Sequence, residues 1–288
     1  MHVPRFWAVE IAKASVRGGR PADVRCWGWS ETSYEDARLR ASQRAERLTG
    51  RLLGDATPSR YGYDERLPRE EIIDEFDDAQ GETKGFVTRN AYGALVLNTR
   101  DLVFIDVDFP PRKTETIGLP KFLSKLFGGS TDDPPDPVAT TESSIIATAR
   151  QHPDLGFRLY RTRNGFRVIV NNRPIEANSQ QAVDLLHQFN ADPLYVQMCK
   201  NQDCFRARLT PKAWRCGLGE PPTRFPFAND RAESANRAWE AKYHETIAGF
   251  STCRFVQSIG SDAADESIAE MIDLHDRLTK ATSNDPLA

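Results

Sequence analysis

The sequence predicts an α+β fold in which a mixed or antiparallel sheet is flanked by helices and followed by a helical C-terminal region. Apolar and polar residues alternate with period two within the first 30 residues and again over residues 85–108. Segments of helical periodicity lie between and after these strands. The chain has 288 residues, 39% of them hydrophobic, which suffices for one large domain or two small ones with a proper core.

The N-terminal segment combines a strand hairpin with a helix. Alternation over residues 6–11 breaks at the glycine-rich residues 17–21 and resumes over residues 24–29, a pattern typical of a hairpin. Ser33 is suited to cap a helix, and the apolar stripe that follows ends near Gly54. We therefore expect a helix directly after the hairpin.

Strand signals then dominate up to the middle of the chain. Pro68 predicts the start of a short acidic helix through Phe76. Residues 85–108 contain β-branched and aromatic runs with turns at residues 90–93 and 99–100. We expect a meander that leads into one apolar strand.

The second half alternates helices with a strand pair. Residues 109–140 are rich in proline, glycine and aspartate, which predicts a long loop or mobile insertion. A capped helix is expected over residues 141–151 and another over residues 178–189, with strands over residues 156–160 and 166–170 between them.

Beyond Arg215 the periodicity is mainly helical. Helices are predicted at about residues 233–248 and 262–281, with a short apolar segment at residues 255–256 between them. The last residues, 283–286, are polar and are expected to be frayed.

Composition limits the classes of partner. The chain has 38 Lys and Arg against 41 Asp and Glu, a formal net charge of −3, so contact with nucleic acid would need a local basic patch. The N-terminus lacks a secretory signature, and no run approaches the roughly 20 apolar residues of a membrane helix, so a cytoplasmic protein without membrane contact is expected. The phosphate-loop, dinucleotide and nucleophile-elbow motifs are absent, which argues against ATPases, dinucleotide oxidoreductases and serine hydrolases.

Two carboxylates end the most apolar strand. Asp106 and Asp108 are two residues apart, which on a strand places both on one face, roughly 7 Å from each other. Such a pair repels unless a cation lies between its members, and Mg²⁺ or Mn²⁺ held with substrate phosphates is the usual solution in phosphoryl transfer. The alternative is that both acids merely end the strand and cap the turn at Phe109.

Arginines surround the turn at Asn164 and Gly165. Asn-Gly is a type I′ hairpin signal that needs no functional explanation. Yet Arg161 and Arg163 share a strand face, and Arg167 emerges on the return strand. Because guanidinium groups suit phosphate, the three charges could converge on an anion.

A further basic segment follows an aspartate. Arg206 and Arg208 alternate on a predicted strand, with Lys212 and Arg215 just beyond. Asp192 precedes a proline and, taken singly, is typical of a turn.

Taken in order, these segments resemble the core of archaeo-eukaryotic primase-polymerases: a strand ending in Asp-x-Asp, a helix, two strands joined by a glycine turn, a helix ending in aspartate, and an Arg-x-Arg strand followed by lysine. The resemblance implies a palm-type sheet, similar to an RNA-recognition motif, with Asp106, Asp108 and Asp192 as catalytic ligands of Mg²⁺ or Mn²⁺. The residues expected to bind nucleotide or phosphate are Arg161, Thr162, Asn164, Gly165, Arg167, Arg206, Arg208 and Lys212.

The resemblance also divides the chain. Residues 1–84 would form a hairpin with helices that pack on the palm, residues 85–218 the palm with its insertion at 109–140, and residues 219–288 a C-terminal helical region.

Arg167 stands where that family has a histidine. Arginine binds phosphate but is permanently charged and cannot relay a proton. Three hypotheses follow: a divalent-metal-dependent nucleotidyltransferase of primase-polymerase type acting on nucleotides and DNA or RNA, a palm that binds nucleotide or nucleic acid without turnover inside a larger protein complex, and a metal-dependent nuclease.

Cysteines and tryptophans offer weaker signals. A structural zinc would have four thiolates available, although their spacing is not that of a standard zinc ribbon and small buried thiols are the alternative; these are Cys199, Cys204, Cys216 and Cys253. Four indoles could stack bases, but core packing is their more frequent use, and no role is assigned to them; these are Trp7, Trp27, Trp29 and Trp214.

Overall fold

Three β-sheets and six α-helices make up the described part of the chain. A computed structural model describes residues 1, 3–16, 22–48, 52–53, 67–110 and 136–288. The strands are β1 Phe6–Val16, β2 Ala22–Ser30, β3 Leu52–Leu53, β4 Glu71–Asp77, β5 Thr83–Arg89, β6 Leu95–Thr99, β7 Phe104–Asp108, β8 Phe157–Thr162, β9 Gly165–Val170, β10 Phe205–Arg208 and β11 Cys253–Ile259. The helices are α1 Tyr34–Leu48, α2 Pro137–Ala149, α3 Gln180–Gln188, α4 Pro193–Gln202, α5 Asp230–Ile247 and α6 Glu266–Thr279. The predicted α+β fold class is confirmed.

Sheet 1 has the order β2-β1-β3, with β1 and β2 antiparallel and β1 and β3 parallel. Helix α1 covers one face through the fully buried Ala37 and Ala41. A Cβ atom at Gly28 would lie 2.0 Å from the Ala37 carbonyl oxygen, so only glycine allows this close approach. The predicted hairpin and the Ser33 cap, which accepts from the Asp36 amide, are confirmed.

Sheet 2 is antiparallel, in the order β10-β6-β5-β4. The predicted strands of the meander are confirmed as β5 and β6. The acidic helix predicted from Pro68 is wrong, because these residues form the edge strand β4, which pairs with β5. An edge strand tolerates exposed acidic side chains on its free face, so the helical spacing of the acids was misleading.

Sheet 3 has the order β11-β8-β9-β7, with every pair antiparallel. Its strand β9 is buried over its whole length. Strand β7 leaves the meander and pairs with β9 instead of β6. Strand β11, predicted only as a short apolar segment, lies at the other edge of this sheet.

Sheets 2 and 3 meet at their edge strands β10 and β7. The hydroxyl of Tyr195, on α4, lies 3.0 Å from the Phe104 carbonyl oxygen on β7 and 3.1 Å from the Arg206 carbonyl oxygen on β10. One hydrophobic core includes residues of both sheets, such as Leu97 and Ile169. This junction positions the candidate site.

Several predicted boundaries change. Helix α2 starts at Pro137 because Asp136 caps it, four residues before the predicted start. The predicted fraying of residues 283–286 is wrong, because Arg254 donates to two carbonyl oxygens there and Leu287 bridges to Ser251.

Some predictions fall outside the described residues. These are the turn at residues 17–21, the helix end at Gly54 and most of the insertion at residues 109–140. Among the described helices, none has both the length and the apolarity needed to cross a bilayer.

Candidate functional site

The two acids predicted at the end of a strand lie on β7 directly opposite β9. Register pairs Asp106 with Arg167 and Asp108 with Gly165. A Cβ atom at Gly165 would lie 2.1 Å from the Val107 carbonyl oxygen, so the absent side chain is what lets the strands meet here.

Arg167 binds Asp106 with both arms of its guanidinium. Its Nε donates to Oδ1 at 2.7 Å and its Nη2 to Oδ2 at 3.0 Å. Burial favours the neutral carboxyl, but the attraction of Arg167 outweighs it and lowers the pKa of Asp106. Both oxygens of this carboxylate are therefore engaged by a permanent cation.

A second group of contacts holds the guanidinium of Arg167 in place. Its Nη1 donates to the Arg208 carbonyl oxygen at 3.0 Å and lies 3.3 Å from Nε2 of His275. His275 is fully buried, which lowers its pKa, and its Nδ1 lies 2.9 Å from Asp276. A neutral His275 that donates from Nδ1 to Asp276 would accept the Arg167 proton at Nε2.

Asp108 is exposed at the end of β7 and makes no hydrogen bond to a side chain of the described residues. Partial burial, together with the negative charges of Asp106 and Asp192, raises its pKa. Asp192 caps α4, since its Oδ1 accepts from the Leu194 amide at 2.8 Å. Asp108 thus lies within electrostatic range of both other aspartates.

Three cations lie beside these acids. They are Arg208, Lys212 and Arg215, and together they are called the cationic cluster. Burial, Arg167 and Arg215 together lower the pKa of Arg208 to about 10. Burial is also the largest cause of the lowered pKa of Lys212, followed by Arg208 and Arg215. The like charges are therefore held close enough to repel.

The cationic cluster lacks contact partners of opposite charge in the described part of the chain. No carboxylate there forms an ion pair with any of its three members. The buried Nε of Arg208 has no hydrogen-bond partner among the described residues. Attraction from Asp108 reaches Lys212 and Arg215 only at longer range.

An aromatic pair adjoins the cationic cluster. Trp214 is 45% exposed and Tyr92 is 38% exposed, and their ring centroids are 5.2 Å apart in an edge-to-face arrangement. The Lys212 Nζ lies 5.4 Å from the centroid of the Trp214 ring. Two partly exposed aromatic rings thus lie next to the cationic cluster.

Other predicted phosphate-binding residues have partners elsewhere. Arg206 is buried, and its Nη2 lies 2.7 Å from both carboxylate oxygens of Glu70. Arg161 donates to the carbonyl oxygens of Thr162 and Gly165. The Asn164 carbonyl oxygen accepts from the Phe109 amide, just beyond β7, at 2.9 Å. The contacts of Arg161 and Asn164 therefore support the β8-β9 hairpin, and Arg206 is engaged by Glu70.

The predicted Mg²⁺ or Mn²⁺ ligands do not fit a metal centre in this arrangement. Both oxygens of Asp106 accept from Arg167, and Asp192 uses one oxygen as a helix cap. Within the described ranges, no three His, Cys, Asp or Glu side chains group together so as to hold a metal ion.

The four candidate zinc ligands do not form one cluster. Within the described residues no three His, Cys, Asp or Glu side chains group so as to hold a metal ion, although Cys199 and Cys204 lie within electrostatic range of each other. All five cysteines are free of disulfides, and burial raises the pKa of Cys199 to about 12 and those of Cys204 and Cys253 to about 11. Cys216 is only partly buried.

Sequence reasoning missed residues that control this site. Glu70 pairs with Arg206, and Tyr195 joins the sheets. His275 could have been singled out, because it shares the apolar face of α6 with Met271 and Ile272, four and three residues earlier. Nothing local marked Glu70, which lies 136 residues from Arg206.

No protein-family model, curated protein or solved structure matches this chain. The geometry itself defines the class: an α+β protein whose cationic cluster, without an ion pair among the described residues, lies beside three aspartates at the junction of two sheets. The resemblance to primase-polymerases therefore rests on the sequence motifs alone.

Proposed function

We propose that this protein binds a nucleotide through its phosphates and does not turn it over. The observation that carries the proposal is Arg208, a half-buried arginine whose buried Nε has no hydrogen-bond partner, and which forms no ion pair, in the described part of the chain. Asp106, which Arg167 already binds, offsets its charge only at longer range, and a bound anion would supply the missing acceptor. Phosphate matches guanidinium geometry and charge.

Lys212 and Arg215 extend the charge over more than one phosphate group. Burial is the largest cause of their lowered pKa values, and repulsion from nearby arginines adds to it, from Arg208 and Arg215 at Lys212 and from Arg163 at Arg215. A di- or triphosphate would relieve this repulsion more fully than a single phosphate, since it carries more charge along its length. The exposed faces of Trp214 and Tyr92 would suit a nucleobase, which favours a nucleotide over an inorganic anion.

Absence of turnover is proposed from the state of Asp106. Phosphoryl transfer needs carboxylates that hold metal ions at the phosphates. Here Arg167 neutralises Asp106 through two hydrogen bonds and is itself held by the Arg208 carbonyl oxygen. The guanidinium of Arg167 therefore lies where the Asp-x-Asp motif would hold a metal ion.

Nucleotide binding is tested with ATP, GTP, dTTP and inorganic triphosphate by calorimetry on the full chain. We expect a nucleoside triphosphate to bind, and Arg208→Gln and Lys212→Gln each to weaken it about tenfold or more, since each removes a charge-assisted contact. Lys13→Gln, an exposed lysine on sheet 1, is the matched control and should leave the affinity unchanged. Undiminished binding by both cluster variants would refute the proposal.

A second candidate is the divalent-metal-dependent nucleotidyltransferase that acts on nucleotides and DNA or RNA. It is favoured by one observation: Asp108 lies near enough to Asp106 and Asp192 for their charges to raise its pKa. An assay of the same protein preparations with labelled nucleotide, a primed template and Mn²⁺ decides between the two candidates. Incorporation that Asp108→Asn abolishes would replace the non-catalytic proposal, and cleavage of the template would support a nuclease instead.

A further inference from the structure

Sheet 1 has an aromatic face away from α1. Helix α1 packs on the face that contains Ala8 and Gly28, so by strand alternation Trp7, Trp27 and Trp29 belong to the opposite face. In the register of β1 and β2, Trp7 lies opposite Trp29. The indoles of Trp27 and Trp29 remain partly exposed.

A groove of about 300 Å³ runs along this face and the free edge of β2. The three tryptophans line it together with four arginines, namely Arg25, Arg44, Arg47 and Arg69. Its described lining residues include no aspartate or glutamate. In a chain of net charge −3, this local excess of positive charge is complementary to a polyanion.

Two arginines from α1 are held at the groove by neutral groups. Arg44 donates to the Trp27 carbonyl oxygen at 2.7 Å, and Arg47 donates to the Gln43 carbonyl oxygen at 3.1 Å. No carboxylate in the described part of the chain contacts either side chain. Their positive charge is thus oriented without being neutralised.

Guanidinium groups also stack on the indoles. The Arg69 guanidinium carbon lies 4.0 Å from the Trp27 ring centroid. A guanidinium stacked on an indole extends the flat surface on which a base can stack. Aromatic rings and arginine planes side by side are the elements that bind unpaired bases.

We infer that this groove binds single-stranded nucleic acid. Trp27 and Trp29 are two residues apart on a strand, about 6.6 Å, which is twice the roughly 3.4 Å rise of a stacked strand. The spacing suits bases that are splayed apart, as a single strand allows and a duplex does not. The inference uses no residue of the cationic cluster and goes beyond the proposed nucleotide site.

The inference is tested with the full chain and fluorescein-labelled 12-mers of oligo-dT and oligo-U, with a 12-base-pair duplex for comparison, by anisotropy at several salt concentrations. Both single strands, or one of them, should bind at least tenfold more tightly than the duplex. Trp27→Leu should weaken binding at least fivefold because a stacking partner is lost. Trp27→Phe, which keeps an aromatic ring, should lie between Trp27→Leu and the unmodified protein.

Charge variants on α1 provide the matched comparison. Arg47→Gln removes an exposed groove arginine and should reduce the slope of log affinity against log salt by about 0.7, the value for one single-strand phosphate contact. Arg38→Gln removes the same charge from the same helix at a residue that pairs with Glu10 and does not line the groove, so it should have no effect. Arg208→Gln should leave oligonucleotide affinity unchanged, which separates this site from the nucleotide site.

Three results would overturn the inference. One is equal loss of affinity in Arg47→Gln and Arg38→Gln, which would indicate general attraction to a positive surface. Another is that polyglutamate competes as effectively as oligo-dT at the same charge concentration, which would indicate a site for acidic peptides. The third is absence of binding to both single strands at low salt.

Discussion

Arg167 and Asp106 form an asymmetric pair. The arginine side chain is 2% exposed, whereas the aspartate side chain keeps 43% of its surface accessible to solvent. Loss of Asp106 would leave the buried Arg167 without its counter-charge, whereas loss of Arg167 would leave an aspartate that water can hydrate. We therefore expect the pair to stabilise the fold itself, independently of any ligand that the neighbouring cations bind.

Exchanging each acid of β7 tests this difference. Asp106→Asn should lower the free energy of unfolding by about 3 kcal/mol, the low end for a broken buried pair, because Asp106 is partly solvated. Asp108→Asn should leave it within about 0.5 kcal/mol or raise it slightly, since the raised pKa of Asp108 means that the fold disfavours its charge. Urea denaturation at pH 7 measures both, and equal losses would contradict the assignment of Arg167 to Asp106 alone.

At this scale the sequence identified the right residue types but not their partners. The charges of Asp106, Asp108 and Arg208 were singled out from their spacing on strands. That Glu70 neutralises Arg206, while Arg208 has no ion pair in the part of the chain that the structure describes, depends on contacts between residues more than 100 positions apart. No local pattern distinguishes two arginines of one strand in that way.

Helix α4 is an element with a strong start signal that the sequence analysis overlooked. Asp192 caps it and Pro193 takes its first position, a combination that favours a helix start. The segment was instead interpreted as a turn because Asp-Pro also begins turns. Asp192 thus has a structural task that is independent of any ligand.

Two substitutions separate the cap from the charge of Asp192. Asp192→Ala should lower the free energy of unfolding by about 1 kcal/mol, because the Leu194 amide loses its acceptor. Asp192→Ser keeps a capping oxygen without the charge and should stay within a few tenths of a kcal/mol. Urea titrations of the two variants decide, and similar losses in both would show that the carboxylate charge itself stabilises the fold.

On the scale of the whole molecule, sheets 2 and 3 are joined at the edges that carry the site. The Tyr195 hydroxyl contacts the backbone of both edge strands, and Arg167 of sheet 3 donates to the Arg208 carbonyl oxygen of sheet 2. The cationic cluster and the aspartates face each other only because these edges meet.

Removing the Tyr195 hydroxyl should weaken this junction. Tyr195→Phe leaves buried backbone groups of Phe104 and Arg206 without their partner, and we expect a loss of about 1–3 kcal/mol in the free energy of unfolding. Tyr34→Phe, at a tyrosine that is 53% exposed on α1, is the control and should change nothing measurable. If thermal and urea unfolding give Tyr195→Phe the same stability as the unmodified protein, the role assigned to this hydroxyl is disproved.

The sequence by itself determined the α+β class, the first hairpin, the strands of the meander and the hairpin of β8 and β9, because alternation acts between residues close in the chain. The predicted type I′ turn at Asn-Gly is wrong, because the register centres the turn on Arg163 and Asn164 and neither Asn164 nor Gly165 has the positive φ that this turn type requires. Tertiary structure alone decided that β7 pairs with β9, that β11 completes sheet 3 and that His275 stands behind Arg167. These choices depend on which distant surfaces bury each other best and which charges find partners, and neither is recorded in the local spacing of residues.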